Sequence, residues 1–97
     1  MATSAVFSGT AVIATTGTAV QLRATANSVK GGNIVTPLSN KSFIRVGPSG
    51  VTDDDVAATA GCWLPPDRTL PINGSTETNV WYINGKAGDR VYFEFHT

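Results

Sequence analysis

The chain has one histidine, His96, one cysteine, Cys62, and seven acidic side chains, so any reaction it could run must be built from very few groups. Nucleophilic catalysis needs a serine or cysteine beside a base. His96 is the single imidazole available, and it stands next to the last residue, on the polar side of "VYFEFH". A chain end frays unless it is docked, which works against the roughly half-ångström placement that catalysis asks of an imidazole. His96 therefore reads as a surface residue. No G-x-S-x-G occurs, and "GPSG" at 47–50 reads as a turn after a strand. Asp89 and Glu94 are near enough in sequence to suggest a carboxylate pair, yet their odd separation along an extended strand puts them on opposite faces. Asp89 closes the turn "KAGD", where its carboxylate can accept from nearby backbone N–H groups.

Metal and phosphate chemistry is equally thin. Asp53, Asp54 and Asp55 form the sharpest charge run, and calcium is its functional reading. Hard cations want converging oxygens at alternate positions with a distal glutamate. Here the acids are consecutive and followed by Val56 and Ala57, so a solvated loop or a single capped helical turn within 52–60 is expected. A lone cysteine makes no intrachain disulfide and no C-x-x-C motif; Cys62 is expected to be a small buried hydrophobe. Phosphate-cradling G-x-G-x-x-G and G-x-x-x-x-G-K loops do not occur. The N-x-S/T triplets at Asn40 and Asn73 read as plain turns. No catalytic residue, metal ligand or cofactor is assigned, and the chain is expected not to be an enzyme.

The elements that carry these residues are strands. Threonine and valine are frequent, while leucine occurs four times and glutamate twice, a balance that favours strands over helices. Turn-forming clusters recur at 15–18, 27–33, 39–42, 47–50, 65–68, 73–76 and 84–89. Intervals of roughly ten residues between such clusters mark a sandwich or jelly roll. Between them the period is two. Val20, Leu22 and Ala24 oppose Gln21 and Arg23; Ile44 and Val46 oppose Phe43 and Arg45; Val91, Phe93 and Phe95 oppose Tyr92, Glu94 and His96. "NVWYIN" is apolar on both faces, which suits a central strand. The closing stretch 79–97 is expected to be two antiparallel strands joined at Asn84–Asp89. The expectation is an all-β, single-domain antiparallel β-sandwich, jelly-roll-like, of seven or eight short strands over 1–97, with 1–9 as an extended N-terminal arm.

At 97 residues the chain is sized for one core. Seven basic residues balance seven acidic ones, and the basic ones are scattered, so nucleic acid is not an expected partner. No stretch is long and apolar enough for a membrane-spanning helix, and the N-terminus shows no secretion signal; no membrane partner is expected.

"GCWLPPDRTLPI" at 61–72 is the segment with two readings. Trp63 either packs on Leu64 or Ile72, or, beside Pro65, Pro66 and Arg68, anchors an interface. Together with the outward stripe Tyr92, Glu94 and His96 and the acids Asp53–Asp55, these are the candidate interface residues.

The order "GTAVQL" (17–22), "SFIRVGPSGVT" (42–52), "GCWLPPDRTLPI" and "VWYINGKAGDRVYFEF" (80–95) resembles small tailed-bacteriophage virion proteins of the capsid decoration, or cement, and head-fibre type. The resemblance covers roughly residues 10–96, and "CWLPPDRT" departs from that group's glycine-centred loop. It implies a β-sandwich without enzymatic activity, located on the capsid surface of the virion after synthesis in the host bacterial cytoplasm. The implied partners are the major capsid protein and further copies of the chain, a homotrimer first. The alternative is a carbohydrate-binding or tail/fibre-associated adhesion module, which needs two or more of Trp63, Trp81, Tyr82 and Tyr92 exposed on one surface.

Overall fold

Alternating apolar and polar side chains give a strand one dry face, and two such faces closing on each other make a core. The computed structural model describes residues 5–51 and 62–97. Its strands are β1 (Val6–Val12), β2 (Val20–Gln21), β3 (Ser28–Thr36), β4 (Ile44–Gly47), β5 (Cys62–Leu64), β6 (Arg68–Glu77), β7 (Tyr82–Asn84) and β8 (Arg90–His96), with one 3-10 turn at Thr78–Val80. They form two four-stranded antiparallel sheets, in the orders β1-β8-β3-β6 and β2-β7-β4-β5. Apart from the β4–β5 pair, each strand connects to one in the other sheet, and this winding is that of an eight-stranded jelly roll. The expected all-β sandwich is the fold.

The core is built from both inner faces. Val29, Ile34, Val91, Phe93 and Phe95 come from the first sheet and Ile44, Val46, Leu64 and Ile83 from the second, closed at the ends by Ala11, Ile13 and Leu22. Each fully buried side chain of this size stabilises the fold by about 1.5–3 kcal/mol. β8 shows the two-residue period along its whole length: Val91, Phe93 and Phe95 are buried, Arg90, Tyr92, Glu94 and His96 exposed. β7, expected to be central, lies between β2 and β4.

Four expectations are corrected. Val6–Gly9, read as part of an arm, belong to β1 and are paired with β8. Residues 28–33 and 73–76, read as turns for their glycines and asparagines, lie inside β3 and β6. The reason is close packing: a Cβ on Gly32 would stand 2.0 Å from the Glu94 carbonyl oxygen, so that crossing of backbones admits only glycine. Gly74, at φ 119°, sits where the register against β3 shifts between Val29 and Gly31, which lets the strand continue through a bulge. Thirdly, β7 and β8 are not a hairpin. They lie in different sheets, because the connection over 85–89 crosses the end of the sandwich alongside 13–17. There the Gly17 and Ile13 N–H groups donate to the carbonyls of Gly85 (3.0 Å) and Asp89 (2.9 Å), and the Gly88 N–H donates to the Ile13 carbonyl (2.8 Å). Lastly, Cys62 is exposed rather than buried, since β5 is three residues long and lies at the sheet edge.

Buried polar groups pin the remaining connections. Asp89 is 3% exposed, and its two carboxylate oxygens accept from the Lys41 and Ser42 N–H groups at 2.9 and 3.0 Å, not from its own turn. Beside it the Asn40 amide donates to the Arg90 carbonyl (2.8 Å) and accepts from the Arg90 N–H (2.9 Å). Asn40 thereby stands in for one more residue of sheet pairing.

Candidate functional site

β4 and β5 place Arg45 directly opposite Trp63, and cross-strand neighbours on one face touch. Because Ile44, Val46 and Leu64 point into the core, Arg45 and Trp63 point away from it, together with Phe43, two residues before Arg45. The Phe43 and Trp63 ring centroids are 4.2 Å apart at 33°, and the Arg45 guanidinium lies over the indole at 4.5 Å. Trp63 is 49% exposed and Phe43 44%, whereas Arg45 is 7% exposed. The aromatic pair is thus an open shelf and the cation its buried support. Trp63 does not pack on Leu64 or Ile72; the two-residue period sends its side chain to the opposite face from Leu64.

The chain after this shelf is held rigidly. Pro65 and Pro66 are half-buried, and Asp67, at φ 62°, completes the turn into β6 at an exposed Arg68. The hydroxyl of Thr36, a residue with no exposed surface, donates to the Pro65 carbonyl at 2.6 Å and accepts from the Arg68 N–H at 3.0 Å. This Thr36 bridge had no signal in the sequence, because a threonine inside "NIVT" looks like any strand residue.

The second group of expected contact residues sits on the other sheet. Tyr92, Glu94 and His96 follow one another along the outward face of β8. Tyr92 lies between Thr10 and Val35, Glu94 between Ser8 and Asn33, and His96 between Val6 and Gly31. The Asn33 amide donates to Glu94 at 3.1 Å. Ser8, Thr10, Asn33, Val35, Tyr92 and Glu94 line an open depression of about 380 Å³. The fold therefore keeps the stripe together but separates it from Trp63, Pro65 and Pro66, and the expected contact residues make two surfaces rather than one. Asp53, Asp54 and Asp55 lie outside the described residues.

The ladder neighbours of His96, Val6 and Gly31, bring no nucleophile to it, and Asp89 is committed to two backbone donors on the inner side of the fold. Among the described residues no group of three or more His, Cys, Asp or Glu side chains is placed to hold a metal ion, and no helix is long and apolar enough to cross a membrane.

Comparison of the chain with protein-family models, with curated proteins and with solved structures gives no match.

Proposed function

We propose that the chain is a structural virion protein, a cement protein that decorates and stabilises a bacteriophage capsid through protein–protein contacts. The observation that carries this reading is the exposed Phe43–Trp63 shelf backed by Arg45. Tryptophan and arginine are the residues that dominate binding energy at interfaces, and here they project from paired strands instead of a loop. Stacking fixes both rings in place, so docking forgoes part of the roughly 0.5–1.5 kcal/mol that immobilising each free side chain costs. The order of strand and turn segments, which resembles virion decoration proteins, supports the same reading.

The mechanism is a clamp. A shell whose subunits present a matching groove only in their final arrangement is stabilised by whatever binds that arrangement, through mass action. Three copies seated around a shell threefold, with the β8 stripe turned toward neighbouring copies, is the arrangement proposed. The role is not enzymatic, and its setting is the capsid surface. The glycan-binding alternative gains no support from the rings, since the two exposed members of its set, Trp63 and Tyr92, lie on the outward faces of opposite sheets.

Quantitative mass spectrometry of purified virions tests the proposal. Copy numbers comparable with the major capsid protein support it, and a few copies or none removes it. Trp63→Ala lowers shell binding by about 30-fold, the equivalent of the 2 kcal/mol that defines an interface hot spot, while the free protein keeps its fold.

A further inference from the structure

The two edges of the first sheet are built differently. β6 carries Arg68, Pro71 and Glu77 and the Gly74 bulge, all devices that keep a strand edge from pairing with another chain. β1, at the other edge, carries none. Its sequence, VFSGTAV, holds no charge and no proline, and the first charged residue of the chain is Arg23. Arg23 leans over the Phe7 ring at 4.9 Å and donates to Asn27 at 3.1 Å. Phe7 belongs to the half-buried side of the strand, packed against the core, so that charge is spent on the inner side.

The hydrogen-bonding side of β1 is also determined. At its ends the Thr97 N–H donates to the Ala5 carbonyl and the Ile13 N–H to the Asp89 carbonyl. Antiparallel bonding alternates, so Phe7, Gly9 and Ala11 exchange bonds with β8. The N–H and C=O groups of Val6, Ser8, Thr10 and Val12 then face away from it, and no strand lies beyond them among the described residues.

We propose that this edge binds the same edge of a second copy, β1 against β1 in antiparallel register centred on Gly9. The strand is close to a palindrome about that residue. Val6 meets the other copy's Val12, Ser8 meets Thr10, Phe7 meets the small Ala11, and glycine meets glycine. A twofold axis perpendicular to the sheet keeps all four outward residues on one face. It pairs every open N–H and C=O of Val6, Ser8, Thr10 and Val12 with a partner, and it covers two exposed valines, Val6 at 65% and Val12 at 43%, with each other. The product is one continuous eight-stranded sheet, formed by strand addition. The contact closes at two copies, so it links clamps across a twofold and does not itself build a threefold. It rests on the sheet edge alone, and its test needs no shell, so its failure leaves the cement reading standing.

Sedimentation equilibrium of the purified full chain is the test. The expected mass is an even multiple of 10.1 kDa; a monomer or an odd multiple overturns the proposal. Thr10→Pro removes an outward N–H that the fold does not use, and is expected to halve the mass with the circular dichroism spectrum unchanged; an unchanged mass overturns the proposal. Should that variant fail to fold, charge pairing decides. Ser8→Lys/Thr10→Lys and Ser8→Glu/Thr10→Glu each halve the mass alone, and mixing them restores it. Assembly by each charged variant alone, or none on mixing, overturns the proposal.

Discussion

Replacing Asp89 by alanine tests the account of how the sandwich is closed at its 37–42 loop. Asp89 is 3% exposed, and it accepts two hydrogen bonds, from Lys41 at 2.9 Å and Ser42 at 3.0 Å. A hydrogen bond to a charged group contributes about 1.5–3 kcal/mol. Lys41 is exposed and Ser42 half-exposed, so the freed donors regain water in part and the low end applies, about 3 kcal/mol for the two. Against a total stability of about 5–15 kcal/mol for a small domain, that lowers the melting temperature by about 12–24 °C. Asp89→Asn retains one acceptor oxygen and falls about halfway. Asn40→Ala releases the same loop by cutting both of its bonds to Arg90. The double variant is therefore destabilised by less than the sum of the singles, by at least about 0.5 kcal/mol. Scanning calorimetry and urea titration measure all four. A Tm for Asp89→Ala within about 4 °C of the parent, or strict additivity with Asn40→Ala, would show that the Asp89 carboxylate does not hold the 37–42 loop.

Three further outcomes are expected. Gly32→Ala puts a Cβ 2.0 Å from the Glu94 carbonyl oxygen and 2.8 Å from the Phe95 Cα, backbone atoms that cannot rotate aside. It costs at least about 3 kcal/mol in urea titration, whereas Gly50→Ala, with nothing within 4 Å, leaves the midpoint in place. Thr36→Val, which keeps shape but loses the bonds to Pro65 and Arg68, costs about 2 kcal/mol or more. Thr36→Ser costs about 1 kcal/mol, and a reversed order would show that the hydroxyl does not hold the Pro-Pro turn. Cys62, exposed on β5, reacts with a maleimide in the native protein nearly as fast as in denaturant; protection of about tenfold or more would contradict its placement.

The legible part of the fold is the part decided by neighbours in sequence. Val91, Phe93 and Phe95 alternate with Tyr92, Glu94 and His96, and the structure buries the first three and exposes the rest, because the period of a strand is a local property. Gly31 and Gly32 look like a turn in sequence because a glycine pair favours turns unless something forbids them. What forbids one here is β8 passing at contact distance, more than sixty positions away. The β7–β8 connection misled for a related reason. Adjacent strands often pair, but 85–89 are bonded to 13–17 at the other end of the chain. In the candidate site the outward side of Arg45 was readable and its burial was not. The two-residue period says where a side chain points, while only the pairing of β4 with β5 brings an indole against Arg45 and sets the Phe43 ring against that indole.

One feature of the sheet order also governs how the chain reaches this state. β8, the last strand, lies between β1 and β3 and holds both. During synthesis β1 emerges before its partner and stays uncharged and unpaired until β8 has appeared. Closing loops of that length before any sheet contact rewards them makes folding slow. A chain cut before Arg90 loses more than one strand. β1 is left with no partner in its sheet, and the first sheet is reduced to β3 and β6.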